Sequence, residues 1–99
     1  MKHVERLDIA PDHPAYEDHF PGAPILPGVV LLDAALLTMA AAGHCDLAAA
    51  RISAVKFHAV VRPADQLRIE YQVLSNASIQ FSILNDDAQV ASGTLAHAS

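Results

Sequence analysis

The chain has 99 residues, of which 53% are apolar, 5% aromatic and 17% charged, and its formal net charge is −5. A length of this order makes one small domain, 1–99, hiding about 65% of its unfolded surface, and the apolar surplus asks for a further covered surface such as a subunit interface. The acidic balance argues against a nucleic-acid binder, because no basic run is available to neutralise phosphates.

The first residues, Met1-Lys2-His3-Val4-Glu5-Arg6, are polar and carry no signal-peptide core. Cys45 is the single cysteine, which rules out an intrachain disulfide and fits a reducing cytoplasm. His3 to Ala10 is short and mixed, with Leu7 and Ile9 on one face, and reads as a first strand. Residues 11–27 hold five of the six prolines and predict an irregular but restrained loop. Pro27-Gly28 then opens a helix that runs to about Ala42 and stops at Gly43. That helix is apolar nearly all round, interrupted only by Asp33 and Thr38, so it is expected to be enclosed on most sides. Its apolar stretch, Val29 to Ala42, is too short for a membrane span and contains a carboxylate.

Beyond the helix the period changes to two. Val55, Phe57, Ala59 and Val61 alternate with Lys56, His58 and Arg62, and Pro63-Ala64-Asp65 makes a turn. Leu67, Ile69, Tyr71 and Val73 alternate with Gln66, Arg68, Glu70 and Gln72, the cleanest strand pattern in the chain. A turn at Ser75-Asn76-Ala77-Ser78 leads to Ile79, Phe81 and Ile83, and Asn85-Asp86-Asp87 leads to a last strand near Gln89 to His97. The order is strand, loop, buried helix and four meandering strands. It predicts an α+β domain with an antiparallel sheet wrapped around one long central helix. Arg51, Lys56, Arg62 and Arg68 read as solvated strand positions, or as a landing strip for an acidic partner.

Two residues carry the chemistry. His19 opens the run His19-Phe20-Pro21-Gly22-Ala23-Pro24-Ile25-Leu26-Pro27-Gly28, and Asp33 follows fourteen positions later inside the apolar helix. A carboxylate there is costly to bury unless it is paired or used, and a Pro/Gly-rich loop holds a histidine in a fixed place. An acid and a base on rigid supports point to proton transfer.

The run HFPGAPILPGVVLLDAAL resembles the signature of the 3-hydroxyacyl-acyl-carrier-protein dehydratases of the hot-dog fold, and is most similar to the small dehydratases of aryl-polyene and related pigment clusters. VKFHAVVRPADQL is similar to that family's second strand and turn, and VASGTLA to its closing strand, so the resemblance spans Leu7 to Ala96. Leu37 stands where many relatives have Gln, Pro63-Ala64-Asp65 stands for the usual Pro-Gly-Asp, and the longer N-terminal region of the fatty-acid enzymes is lacking.

The resemblance implies dehydration of a 3-hydroxyacyl thioester to the trans-2-enoyl form. His19 is then the base that takes the C2 proton. Asp33 is the acid that protonates the leaving C3 hydroxyl, directly or through a water; alternatively the histidine makes both transfers and the carboxylate orients the hydroxyl. The backbone N–H of Gly28 would polarise the thioester carbonyl at the helix N-terminus, with Phe20 and Pro27 beside the substrate. Family likeness further implies a homodimer in which His19 of one protomer faces Asp33 of the other, giving two composite sites. The substrate arrives on the phosphopantetheine of acyl carrier protein or as an acyl-CoA, so no dissociable cofactor is expected. His44-Cys45-Asp46 is rich in ligand atoms but has no recognised zinc spacing, and no metal is expected. A hot-dog thioesterase and a non-catalytic acyl-binding or partner subunit are the rival readings.

Overall fold

A computed structural model describes residues 2–9, 26–46, 48–62, 65–74 and 78–97. The elements in chain order are β1 (Lys2–Leu7), α1 (Gly28–Ala41), β2 (Ala50–Phe57), β3 (Leu67–Val73), β4 (Ile79–Asn85) and β5 (Ala88–His97). The strands form one five-stranded antiparallel sheet in the order β1-β3-β4-β5-β2.

Alternation places the core. Leu67, Ile69 and Tyr71 of β3 and Ile79, Phe81 and Ile83 of β4 are all buried on one face, while Arg68, Glu70, Gln80 and Ser82 turn away from it. Against that face α1 lays Leu31, Ala35 and Met39, spaced four apart and 2% exposed or less. Gly93 of β5 leaves room for the Phe81 ring and for the backbone of the neighbouring strand β2. A Cβ on Gly93 would lie 2.8 Å from the Phe81 Cζ and 2.5 Å from the Ala54 carbonyl oxygen.

Helix α1 ends in a Schellman arrangement. The Gly43 N–H donates to the Ala40 carbonyl and the His44 N–H to the Met39 carbonyl, with Gly43 at φ 82°. The predicted stop at Gly43 is therefore where the helix stops, and for the reason expected of glycine in the left-handed region. Beyond it the His44 ring stacks on His3 of β1 at 4.0 Å between centroids, and both rings lie beside Tyr71. Tyr71 is buried, its hydroxyl meets no hydrogen-bond partner among the described residues, and burial, then the charge of Glu5, pushes its phenol upward. Cys45, next to His44, is a free thiol in the core, pushed up by burial and then by Asp46.

Two expectations need correction. The four later strands do not form a simple meander: β3, β4 and β5 do, but β2 pairs with β5 and becomes the far edge. Strand β2 runs from Ala50 to Phe57, five residues earlier than the alternation at Val55 to Arg62 predicts. Both faces of this edge strand are largely open, so burial imposes no two-residue period on it; its register also slips at a bulge between Ile52 and Ala54. The enclosure expected of α1 holds on most of its sides and fails along one stripe. Val29, Asp33 and Leu37 are exposed, Val29 by 74% and Leu37 by 51%.

Candidate active site

The start of α1 is held by backbone rather than by a side-chain cap. Pro27 sits at the N-cap in an extended conformation, and its carbonyl accepts from the Val30 and Leu31 N–H groups at 3.1 and 3.2 Å. Just before it, the Leu26 N–H donates to the Val61 carbonyl at 2.9 Å, and both side chains are buried. That bond ties the helix entrance to the segment leaving β2. Among the described residues no acceptor meets the N–H of Gly28 or Val29, the orphan donors of a helix N-terminus. No acidic side chain occupies the first turn to neutralise the local positive end of the dipole.

Gly28 owes its identity to a neighbour. Among the described glycines only Gly43 has a positive φ, so the backbone at Gly28 would accept a side chain. Space would not: a Cβ there would stand 2.7 Å from the Phe57 Cζ and 2.9 Å from its Cε1. Phe57 is the last residue of β2, paired with the buried Ala91 of β5, and shares the helix-facing side of the sheet with Val55 and Ile52. Its ring nevertheless remains 48% exposed.

Asp33 lies on the exposed stripe of α1, one helical turn from Val29 and one from Leu37. No described side chain hydrogen-bonds or ion-pairs with it. It is a carboxylate between two large exposed apolar side chains, and Ile52 and Phe57 on the edge strand and Val60 beyond it are exposed too. A shallow trough of about 530 Å³ on the sheet, lined by Lys2, Lys56, Glu70, Gln72 and Thr94 among others, reaches neither Asp33 nor Gly28. The described part of one chain therefore gives Asp33 an apolar surround but no enclosure.

Of the residues singled out from sequence, Pro27, Gly28 and Asp33 stand on the first turns of α1, while His19 and Phe20 lie outside the described residues. Of the basic positions, Arg68 is already engaged by the Glu70 carboxylate and the Asp86 carbonyl, whereas Arg51, Lys56 and Arg62 are exposed. Sequence reasoning placed Phe57 on a strand face and gave it no part in the site. The available signal was a glycine at the first helical position, where alanine is the better helix former, followed by a phenylalanine in the next strand.

Comparison with known proteins decides the family. The model of a family described as "ApeI-like: ApeI dehydratase" matches residues 2–94. The chain belongs to the ApeI-like dehydratase family. This ApeI-like chain is 39% identical over 72 residues to the 3-hydroxyacyl-[acyl-carrier-protein] dehydratase FabZ of Chloroflexus aggregans, an alignment covering 66% of the chain and 50% of that protein. It spans about half the length of the first relatives of this kind that it matches. Among solved structures, the dehydratase heterocomplex ApeI:P from Xenorhabdus doucetiae superposes with a TM-score of 0.78 at 21% identity, over 99% of this chain and 88% of that one. A variant of the fluoroacetyl-CoA-specific thioesterase FlK superposes with a TM-score of 0.63 at 13% identity, over 96% and 82% of the two chains. These likenesses establish the hot-dog fold expected from the sequence.

Proposed function

We propose that this ApeI-like protein dehydrates a 3-hydroxyacyl thioester, carried on the phosphopantetheine of acyl carrier protein or on coenzyme A, to the trans-2-enoyl thioester. Family membership supports the reaction class. The single observation that carries the site is Asp33, unpaired among the described residues and flanked by exposed Val29 and Leu37, about one and a half turns from a Gly28 N–H that meets no described acceptor.

The chemistry follows from those groups. A thioester oxygen accepting from Gly28 shares in the positive end of α1, which stabilises the enolate-like charge that grows as C2 loses its proton. His19 takes that proton, since an imidazole titrates near neutrality. Asp33, in its acid form, delivers a proton to the C3 hydroxyl, which leaves as water; the C2–C3 double bond forms from the electron pair of the C2–H bond. Atoms balance without a dissociable cofactor: the substrate loses one water and nothing else.

The enclosure is supplied by a second copy of the chain. Edge strand β2 presents free backbone groups beside exposed Ile52 and Phe57, and α1 presents Val29 and Leu37, so pairing of two such surfaces would bury Asp33 and bring His19 of one protomer to Asp33 of the other. The Xenorhabdus protein is described as a heterocomplex, so a related but different chain in the partner's place is the outcome to watch for. A free thiol at Cys45 agrees with a reducing cytoplasm as the working compartment.

Mass spectrometry of a 3-hydroxyacyl-carrier incubated with the protein tests the reading. The expected product is lighter by one water; release of free acid and thiol would make it a thioesterase, and an unchanged substrate under dimeric conditions would make it a non-catalytic subunit.

A further inference from the structure

We infer that Phe57 is the specificity-determining residue of this site, an apolar wall that holds the first carbons of the acyl group against the Gly28 amide; the inference rests on the dehydratase reading and deepens it. Three observations converge on this ring. Its tip fills the space that a Gly28 side chain would take, 2.7 Å from the Cβ position, so it stands beside one of the two helix-start amides, Gly28 and Val29, that meet no acceptor among the described residues. It stays 48% exposed although it lies on the helix-facing side of the sheet. Its position is rigidly set: Phe57 closes β2 opposite Ala91, and the residues that follow are pinned by the His58 and Ala59 N–H groups to the Val90 carbonyl and by Val61 to Leu26.

A carbonyl oxygen bound at Gly28 places C2 and C3 of the acyl chain beside that ring edge. Glycine at 28 and phenylalanine at 57 thus form one device. The missing Cβ lets an aromatic ring reach the amide, and the ring in turn excludes water from it and offers apolar surface to the chain. Leu32 and Val30, the other apolar residues near the helix start, are partly buried against the core and less available for that role.

The test compares wild type, Phe57→Leu and Phe57→Ala. Each is assayed for steady-state dehydration of short- and medium-chain 3-hydroxyacyl-pantetheine thioesters, and for calorimetric binding of an unreactive saturated acyl-pantetheine amide. Phe57→Ala is expected to raise KM about tenfold or more, with kcat changed less than about threefold, because what is lost is apolar contact common to ground and transition states. The dissociation constant of the amide should move with KM, and Phe57→Leu should recover most of both. Gly28→Ala should be damaging alone yet add little on top of Phe57→Ala, since the clash partner is then gone.

Thermal unfolding and size-exclusion chromatography of each variant separate this role from a structural one. If Phe57→Ala and Phe57→Leu lose only stability or pairing, with KM and amide binding equal to wild type, the inference is overturned while the dehydratase reading stands. Weakened amide binding in a protein that dehydrates nothing would keep the acyl wall and overturn the reaction. Failure of wild type to bind or convert either probe overturns both.

Discussion

The two edges of the sheet are built on opposite rules. Strand β1 is short, six residues, and carries charge: Lys2 pairs with Glu70 at 2.7 Å, and Arg6 with Asp8 just past the strand's end at 2.9 Å. Strand β2 is longer, is bulged at Ile52/Ala54, and exposes Ile52 and Phe57 on the side shared with α1. Charged side chains and short length blunt an edge against further pairing, whereas an open apolar edge invites it. The comparison teaches which edge is open to further pairing. The β1 edge is charged and short, while the β2 edge is left apolar and open, as the proposed pairing with a second copy requires.

Asp33→Asn should give the largest effect. It removes the proposed proton donor, and turnover should fall about 10²–10⁴-fold, the usual worth of a positioned acid or base. Because Asp33 is exposed and unpaired, the unfolding free energy of the single chain should stay within about 0.5 kcal/mol of wild type by urea titration.

A matched pair of lysines tests the edges directly. Ile52→Lys should remove ~1.5–3 kcal/mol of apolar burial per protomer from the proposed seam and shift sedimentation from dimer to monomer, with activity lost in parallel. Val4→Lys, on the exposed but already charged β1, should leave the assembly unchanged. Equal effects of the two would erase the distinction between the edges.

Gly93→Ala loosens the join that holds β2 to the rest of the sheet. The added Cβ would meet a backbone oxygen of β2 at 2.5 Å, which cannot rotate away as a side chain can, and the expected destabilisation is ~1–3 kcal/mol by chemical denaturation.

The smallest effect belongs to the charged edge. Hydrogen bonds from Lys2 and then Arg68 hold the Glu70 carboxyl below its ordinary value of 4.5. The unfolded chain therefore takes up this proton first on acidification. The stabilisation is complete above 4.5 and is lost as pH falls through the lower folded value. Glu70→Gln should lower the thermal midpoint slightly at neutral pH and not at all in strong acid, a gap that closes on titration; a constant gap would show that the ion pairs are not its source.

Much of this was legible in the chain itself. Leu67, Ile69 and Tyr71 alternate because both their neighbours and the helix bury one face of β3, and the same force writes Ile79, Phe81 and Ile83 into β4. Glycine at 43 marks the helix end because the backbone there needs φ 82°. Strand β2 was misplaced because an edge strand with two open faces carries no burial period. The surround of Asp33 was misjudged because composition says that a helix is apolar, not which of its sides finds a partner within the chain.

Local patterning, a glycine after a helix and a carboxylate in an apolar run were enough to determine most of the elements and the residues worth suspecting, while the fold family was legible only as a resemblance of the HFPG-to-Asp33 run to a known signature. Those patterns are short-range demands of backbone geometry and desolvation, which each segment must satisfy wherever it sits. Only the tertiary structure decided that β2 lies at the far edge, that Asp33 faces outward, and that the Phe57 ring occupies the place of a Gly28 side chain. Such facts depend on which distant segments meet, and contact between residues 29 positions apart leaves no period in the sequence to read.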